Sequence, residues 1–201
     1  MKLISKFAFG LYSLMYPFKI LGTENIPDDS CVVVCNHFSI VDCMFLYKLC
    51  NANCKTLCKK EIMQNKLFKT IVTDFGALPI DRESPNINEM LACLKTLKEN
   101  KKLCIFPEGT RNKSKTNKLQ EIKAGSGIFA VKAKKPILPV MILKKSKIFR
   151  KNYLLVGKPF ELTEFYNKKL SNEDLTKMDS IIKDKMNAVH LELENLLKKK
   201  K

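Results

Sequence analysis

Residues 31–42 read CVVVCNHFSIVD. Cys31 to Val34 is apolar at every position and rich in β-branched residues, as a short strand buried on both faces must be. Asn36-His37-Phe38 interrupts that run with polar groups. From Ser39 to Leu49 the residues Ile40, Met44 and Tyr47 recur at helical spacing. A strand with two buried faces, a loop and then a helix form the repeating unit of an α/β domain with a parallel sheet.

The same alternation continues along the chain. Thr56–Cys58, Gly76–Ile80, Leu103–Phe106, Pro136–Leu143 and Tyr153–Gly157 read as strands, and Ile62–Val72 and Gly125–Lys134 as helices. Ser84-Pro85 predicts a helix start, with serine as N-cap and proline in the first position. The apolar face of that helix is Ile87, Met90, Leu91, Leu94 and Leu97. Ser171-x-x-Asp174 is a capping box. It opens a long amphipathic helix with apolar residues at Leu175, Met178, Ile182, Met186, Val189, Leu193 and Leu196. The expected fold is α/β: a mainly parallel central sheet flanked by helices and closed by a long C-terminal amphipathic helix.

Met1 to Leu21 carries Lys2, Lys6 and Lys19 and no acid. Phe7 to Phe18 is a charge-free apolar and aromatic run. A helix of that length covers about 18 Å, short of the ~30 Å hydrocarbon core of a bilayer, and Gly10 and Pro17 weaken it. No small-x-small cleavage site follows it. The segment predicts an interfacial amphipathic helix, with its rings at the acyl boundary and its lysines toward the headgroups. Packing on the protein's own core is the competing reading. The division expected is a membrane-interface helix over 1–21 and one α/β domain over 22–201.

The 201 residues include 37 Lys+Arg against 20 Asp+Glu, a formal net charge of +17. Such a surface favours an anionic partner. The lysines are scattered, however, and no helix-turn-helix or RNA-binding signature is present, which argues against nucleic acid. The eight cysteines form no paired Cys-x-x-Cys motif, and His37 and His190 are the only histidines. Reduced thiols used as small apolar side chains are the expectation, with no metal site.

Two loops carry groups that suit chemistry, and both follow predicted strands, where sites in α/β sheets gather. In the first, a turn between His37 and Asp42 would let the carboxylate meet the imidazole, fix its tautomer and make the other ring nitrogen a general base. In the second, Phe106-Pro107-Glu108-Gly109-Thr110-Arg111, the glycine lets backbone amides approach an anion and Arg111 offers a planar fork for phosphate. Gly76-Ala77-Leu78-Pro79-Ile80-Asp81-Arg82 ends in a second arginine, Arg82. Lys123-Ala124-Gly125-Ser126-Gly127 is a small-residue turn into a helix. Pro136–Val140 has no polar side chain and reads as structural. Cys35 or Cys43 paired with His37 would instead suit a cysteine hydrolase, although Cys35 lies in the strand.

Taken in order, these segments resemble the glycerolipid acyltransferase family that includes the 1-acylglycerol-3-phosphate acyltransferases. The resemblance rests on NHFSIVD with His37 and Asp42, on GALPIDR, on FPEGTR, on ILPVMI and on Lys59-Lys60-Glu61-Ile62, and it covers about residues 20 to 160. Pro79 departs from the phenylalanine frequent in that family. The resemblance implies transfer of a fatty acyl group from acyl-coenzyme A or acyl carrier protein to the sn-2 hydroxyl of 1-acyl-sn-glycerol 3-phosphate, giving phosphatidic acid. His37 would be the base and Asp42 its orienting partner. Arg82, Glu108, Gly109, Thr110 and Arg111, with Lys123 and Gly125, would bind substrate. No cofactor beyond the thioester co-substrate is implied. The partners expected are lysophosphatidic acid, the acyl donor and an anionic phospholipid membrane, at the cytoplasmic face and without a span. Another lysolipid or glycerol 3-phosphate as acceptor, and a non-catalytic membrane-binding relative, are the alternatives.

Overall fold

The computed structural model describes residues 3–81, 84–114, 118–123 and 125–199. Seven strands form one sheet: β1 (Phe18–Leu21), β2 (Val32–Cys35), β3 (Cys54–Lys59), β4 (Ala77–Ile80), β5 (Lys102–Ile105), β6 (Ile137–Ile142) and β7 (Asn152–Val156). Their spatial order is β1-β7-β6-β2-β5-β3-β4. Every neighbouring pair is parallel except β6 and β7, which a direct connection joins antiparallel. Among the described residues the α-helices are α1 (Leu3–Met15), α2 (Asp42–Leu49), α3 (Lys66–Asp74), α4 (Ile87–Lys98), α5 (Ile128–Ala133) and α6 (Asn172–Lys198).

β2 sits at the centre, and its side chains part by the two-residue period of a strand. Val32 and Val34 join the layer beneath α4, α5 and α6, with Leu97, Phe129, Met178, Ile182 and Met186. Val33 and Cys35 join the opposite layer beneath α1 and α2, with Tyr12, Phe45, Leu46 and Leu138. The run CVVVC is apolar throughout because both faces are covered. All eight cysteines are free, and six are buried in these layers.

α1 divides its surface between two environments. Phe9 and Tyr12 stack into a ring cluster with Tyr16, Phe45, Tyr47 and Phe75. The Ser5 hydroxyl donates to Asp74 Oδ2 at 2.6 Å. About half a turn away, Phe7, Leu11 and Leu14 face solvent, with Phe7 at 74% and Leu14 at 71% exposed. Phe18–Leu21, counted with the N-terminal segment in the sequence division, is an edge strand of the sheet and pairs with β7. Four residues around an exposed lysine leave too short an alternation to separate from the apolar run before them.

The capping box at Ser171 and Asp174 forms as expected. The expected cap at Ser84 does not. Asn86 is the N-cap of α4: its side chain accepts from the Glu89 amide, and Glu89 accepts from the Asn86 amide. This two-way exchange satisfies two orphan amides, which serine followed by proline cannot match. The Ser84 amide donates instead to Asp81 Oδ1 at 3.1 Å. α2 begins at Asp42 rather than Ser39, because a turn fills residues 39–41, and α5 begins at Ile128 rather than Gly125.

Candidate active site

His37 leaves the carboxyl end of β2, and Glu108 leaves the carboxyl end of β5, its neighbour in the sheet. The turn at 39–41 folds Asp42 back onto the loop before it. Asp42 Oδ2 lies 3.0 Å from His37 Nδ1 and accepts the amides of Phe38 and Ser39 at 2.6 Å each. Asp42 is fully buried. The pairing places a proton on Nδ1, which donates to Asp42, and leaves Nε2 free to accept one. The imidazole lies nearly parallel to the Phe106 ring, with centroids 4.0 Å apart.

The FPEGTR loop holds the main chain of His37 at both ends. Glu108 Oε1 accepts the His37 amide at 2.8 Å, and the His37 carbonyl accepts the Asn112 amide at 2.6 Å. Glu108 Oε2 accepts the Gln120 amide at 3.1 Å. Glu108, expected among the substrate-binding residues, has its carboxylate turned onto the loop backbone. The residue is 2% exposed, and both carboxylate oxygens are committed to backbone amides. Burial pushes its carboxyl above the usual range, against the pull of those amides. A buried carboxylate would also repel an anion.

Gly109 follows at φ +66°, a left-handed conformation open to glycine. A Cβ there would come within 2.6 Å of Lys123 Cδ, so the lysine side chain lies directly across the loop. Gly109, Lys123 and Gly125 border a cavity of about 300 Å³ with largely apolar walls that include Leu57, Ile80, Met90, Ile105 and Phe106. Phe106 thus stands between the imidazole and this cavity. Thr110 and Arg111 are exposed at the loop's outer edge. Arg82 lies outside the described residues.

Sequence reasoning missed three residues that build the site. Asn36 is fully buried and exchanges two hydrogen bonds with Ile142 at the end of β6: its Nδ2 donates to the carbonyl at 2.9 Å, and its Oδ1 accepts the amide at 2.7 Å. Asn112 ties the loop through Lys118 O and the Ser114 amide. Phe106 stacks on the His37 ring. Their signal was position alone: Asn36 and Phe106 lie within the quoted motifs and Asn112 directly follows one.

Neither thiol offered as a nucleophile is directed at the imidazole. Cys35 Sγ lies 3.8 Å from Asn36 Oδ1, and Cys43 donates to the Ile40 carbonyl at 2.9 Å. Burial pushes Cys43 up to about 12 and Cys35 well above the ordinary thiol range. Neither supplies the thiolate that nucleophilic cysteine chemistry needs. Among the described residues, one group of metal-capable side chains is clustered: Cys50, Cys54 and Cys104, with sulfurs within 4.8 Å of one another. They are buried toward the amino ends of the strands, the end of the sheet opposite His37.

The chain is similar in sequence and fold to known proteins. Residues 17–143 match the family model described as Acyltransferase. Over 193 residues the chain is 29% identical to the 1-acyl-sn-glycerol-3-phosphate acyltransferase of Bacillus subtilis (strain 168), across 92% of this chain and 94% of that one. It is 32% identical over 169 residues to the enzyme of that name from Cocos nucifera, across 82% of this chain and 53% of that one. Among solved structures, it is similar to the 1-acyl-sn-glycerophosphate acyltransferase PlsC from Thermotoga maritima, with a TM-score of 0.67 and 25% identity, across 96% of this chain and 76% of that one.

Proposed function

The chain belongs to the acyltransferase family, and on that premise we propose that it moves a fatty acyl group from acyl-coenzyme A or acyl carrier protein to the sn-2 hydroxyl of 1-acyl-sn-glycerol 3-phosphate. The product would be phosphatidic acid, and the reaction a step of phospholipid synthesis. The observation that carries this reading is the His37–Asp42 pair, joined at 3.0 Å and seated against Phe106 of the FPEGTR loop.

A thioester is already activated, so the protein need only activate the acceptor. His37 Nε2 takes the hydroxyl proton as the oxygen attacks the thioester carbonyl carbon. The tetrahedral intermediate collapses with loss of the thiolate, which takes that proton back from the imidazolium. The new ester bond replaces the thioester bond, and no acyl-enzyme forms. Asp42 holds the ring in its tautomer and stabilises the imidazolium. General-base help of this kind gives roughly 10²–10⁴-fold, and positioning supplies much of the rest.

Arg111, Thr110, Gly109, Lys123 and Gly125, together with Arg82, would hold the acceptor's phosphate, while Glu108 positions the His37 loop. The apolar cavity beyond Phe106 suits an acyl chain. Among the described residues no helix is long and apolar enough to cross a membrane. The Phe7, Leu11 and Leu14 face of α1 would meet the cytoplasmic leaflet as a peripheral contact, in the geometry of an interfacial helix.

The test is acyl transfer from a palmitoyl thioester to 1-acylglycerol 3-phosphate in mixed micelles, for wild type and His37→Ala. Phosphatidic acid from the wild type, with a loss of roughly two or more orders of magnitude in the variant, supports acceptor and base together. Equal activity in both removes His37 as the base. Inactivity of both moves the acceptor to another lysolipid or glycerol 3-phosphate.

A further inference from the structure

The connection between β6 and β7 is a dense basic segment. Residues 144–151 read KKSKIFRK, with five cations and no acid. Lys144, Lys145, Lys147, Arg150 and Lys151 surround a cavity of about 610 Å³. Among the described residues, no ion pair involves any of the five. At the tip, Ile148 is 46% and Phe149 74% exposed. Five cations held together without counter-charge repel one another, and an exposed phenylalanine loses solvation free energy. A structure that keeps both in one place calls for a partner that is anionic and apolar at once.

The loop is also built to hold this shape. Asn152 is buried at its base, where Oδ1 accepts the Lys147 amide at 3.1 Å and Nδ2 donates to the Arg150 carbonyl at 2.9 Å and the Pro17 carbonyl at 3.1 Å. Phe149 adopts φ +55°, a conformation that disfavours a bulky side chain. Its amide donates to the Met15 carbonyl at 2.7 Å. That bond fixes the tip to the last turn of α1, whose outer face carries the exposed Leu11 and Leu14.

The loop also lies at the catalytic end of the sheet. β6 runs parallel to β2, so the loop after Ile142 leaves from the same end as the loop bearing His37. Asn36, next to His37, is bonded both ways to Ile142. We propose that the 144–151 loop is a second membrane-docking site, specific for acidic phospholipids. Its cations take headgroup phosphates in the cavity, while Ile148 and Phe149 enter the acyl boundary. With α1 it would turn the His37 end of the sheet toward the bilayer. A free phosphate would satisfy the cations and leave the apolar tip unused; a bilayer satisfies both. Only this orienting role rests on the proposed lipid chemistry.

The test is co-sedimentation of the full chain with vesicles of phosphatidylcholine containing phosphatidylglycerol, and of phosphatidylcholine alone, at roughly physiological salt. Each cation near an acidic surface is worth about fivefold in partitioning. Lys144→Gln/Lys145→Gln/Arg150→Gln should therefore weaken binding to the acidic vesicles by roughly a hundredfold. Phe149→Asn is the sharper variant. Asparagine tolerates a positive φ, so its melting temperature should hold or rise while vesicle binding falls severalfold. A purely structural role for Phe149 would lower the melting temperature instead. Wild-type binding by both variants overturns the proposal. So does release of the wild type from vesicles by inorganic phosphate but not by chloride of equal ionic strength, which would make the cavity a free-phosphate site. Preference for duplex DNA over acidic vesicles overturns it as well. None of these readouts uses acyl transfer, so the loop and the proposed reaction fail independently.

Discussion

Asp42 Oδ2 meets His37 Nδ1 at 3.0 Å while the same oxygen accepts the amides of Phe38 and Ser39. One atom thus sets both the tautomer of the ring and the fold of the loop that carries it. Asp42→Asn keeps the shape but removes the charge that stabilises an imidazolium. Its kcat should fall by roughly 10²–10⁴-fold, with the acceptor KM changed only severalfold. Steady-state kinetics decide the point. An unchanged kcat would show that the pair is structural.

Glu108 acts as a latch between two loops. Glu108→Ala would leave the amides of His37 and Gln120 buried without acceptors, at a cost of about 1–3 kcal/mol each. The melting temperature should drop by several degrees. If His37 is the base, the kcat should fall more than the acceptor affinity, because the loop that carries its ring is displaced. A selective rise in acceptor KM at normal stability would return Glu108 to the phosphate site.

The His37–Asp42 pairing was legible because it is local: five residues, one turn and two side chains that attract. The layers were legible for the same reason, since a run such as CVVVC permits only burial on both faces. What escaped depends on contacts distant in sequence. Asn36 meets Ile142 across 106 residues, and Asn25 holds the end of β7 through the Val156 carbonyl. β1 became a strand because β7 offers it an edge, not because of its own pattern. The contacts of Glu108 were not legible, because a carboxylate in a motif gives no sign of whether it faces solvent or two backbone amides. The cap of α4 was misplaced by two residues, because Asn86 and Glu89 offer a reciprocal pair that Ser84 does not.

Gly109 and Lys123 can be tested as a pair. Gly109→Ala places a Cβ where Lys123 Cδ now lies and adds about 1 kcal/mol of backbone strain. Lys123→Ala removes the same side chain from the cavity edge. If Lys123 holds the acceptor's phosphate, each variant should raise the acceptor KM by roughly tenfold, and the double variant little more than either alone. Additive effects in the cycle would show that the two residues act separately.

The two faces of α1 separate by mutation. Phe7→Ser/Leu14→Ser changes side chains that meet solvent and should leave thermal stability within about 0.5 kcal/mol of wild type. Binding to acidic vesicles should weaken severalfold. Phe9→Ala opens the ring cluster with Tyr47 and Phe75 and should cost about 3 kcal/mol of stability. Deleting the helix would confound these effects, so point variants are the cleaner measurement. Vesicle binding unchanged by the outer-face pair would assign α1 wholly to the protein core.

Asp179 of α6 makes stability depend on pH. Burial raises its carboxyl to about 6, against the pull of the Gly125 amide, and its Oδ1 is buried without a partner. The unfolded carboxyl releases its proton near 3.8. Between those values the folded chain binds more protons than the unfolded one, so this residue's contribution to stability declines as pH rises from about 4 to 6 and is level above about 7. The loss is on the order of 3 kcal/mol. Glu108, raised for the same reason, adds to the slope in the same direction. Asp179→Asn removes the titrating group, so the difference in urea midpoint between variant and wild type should grow in the variant's favour as pH rises through that window. A flat difference, or one that shrinks, would mean the carboxyl is solvated and titrates normally.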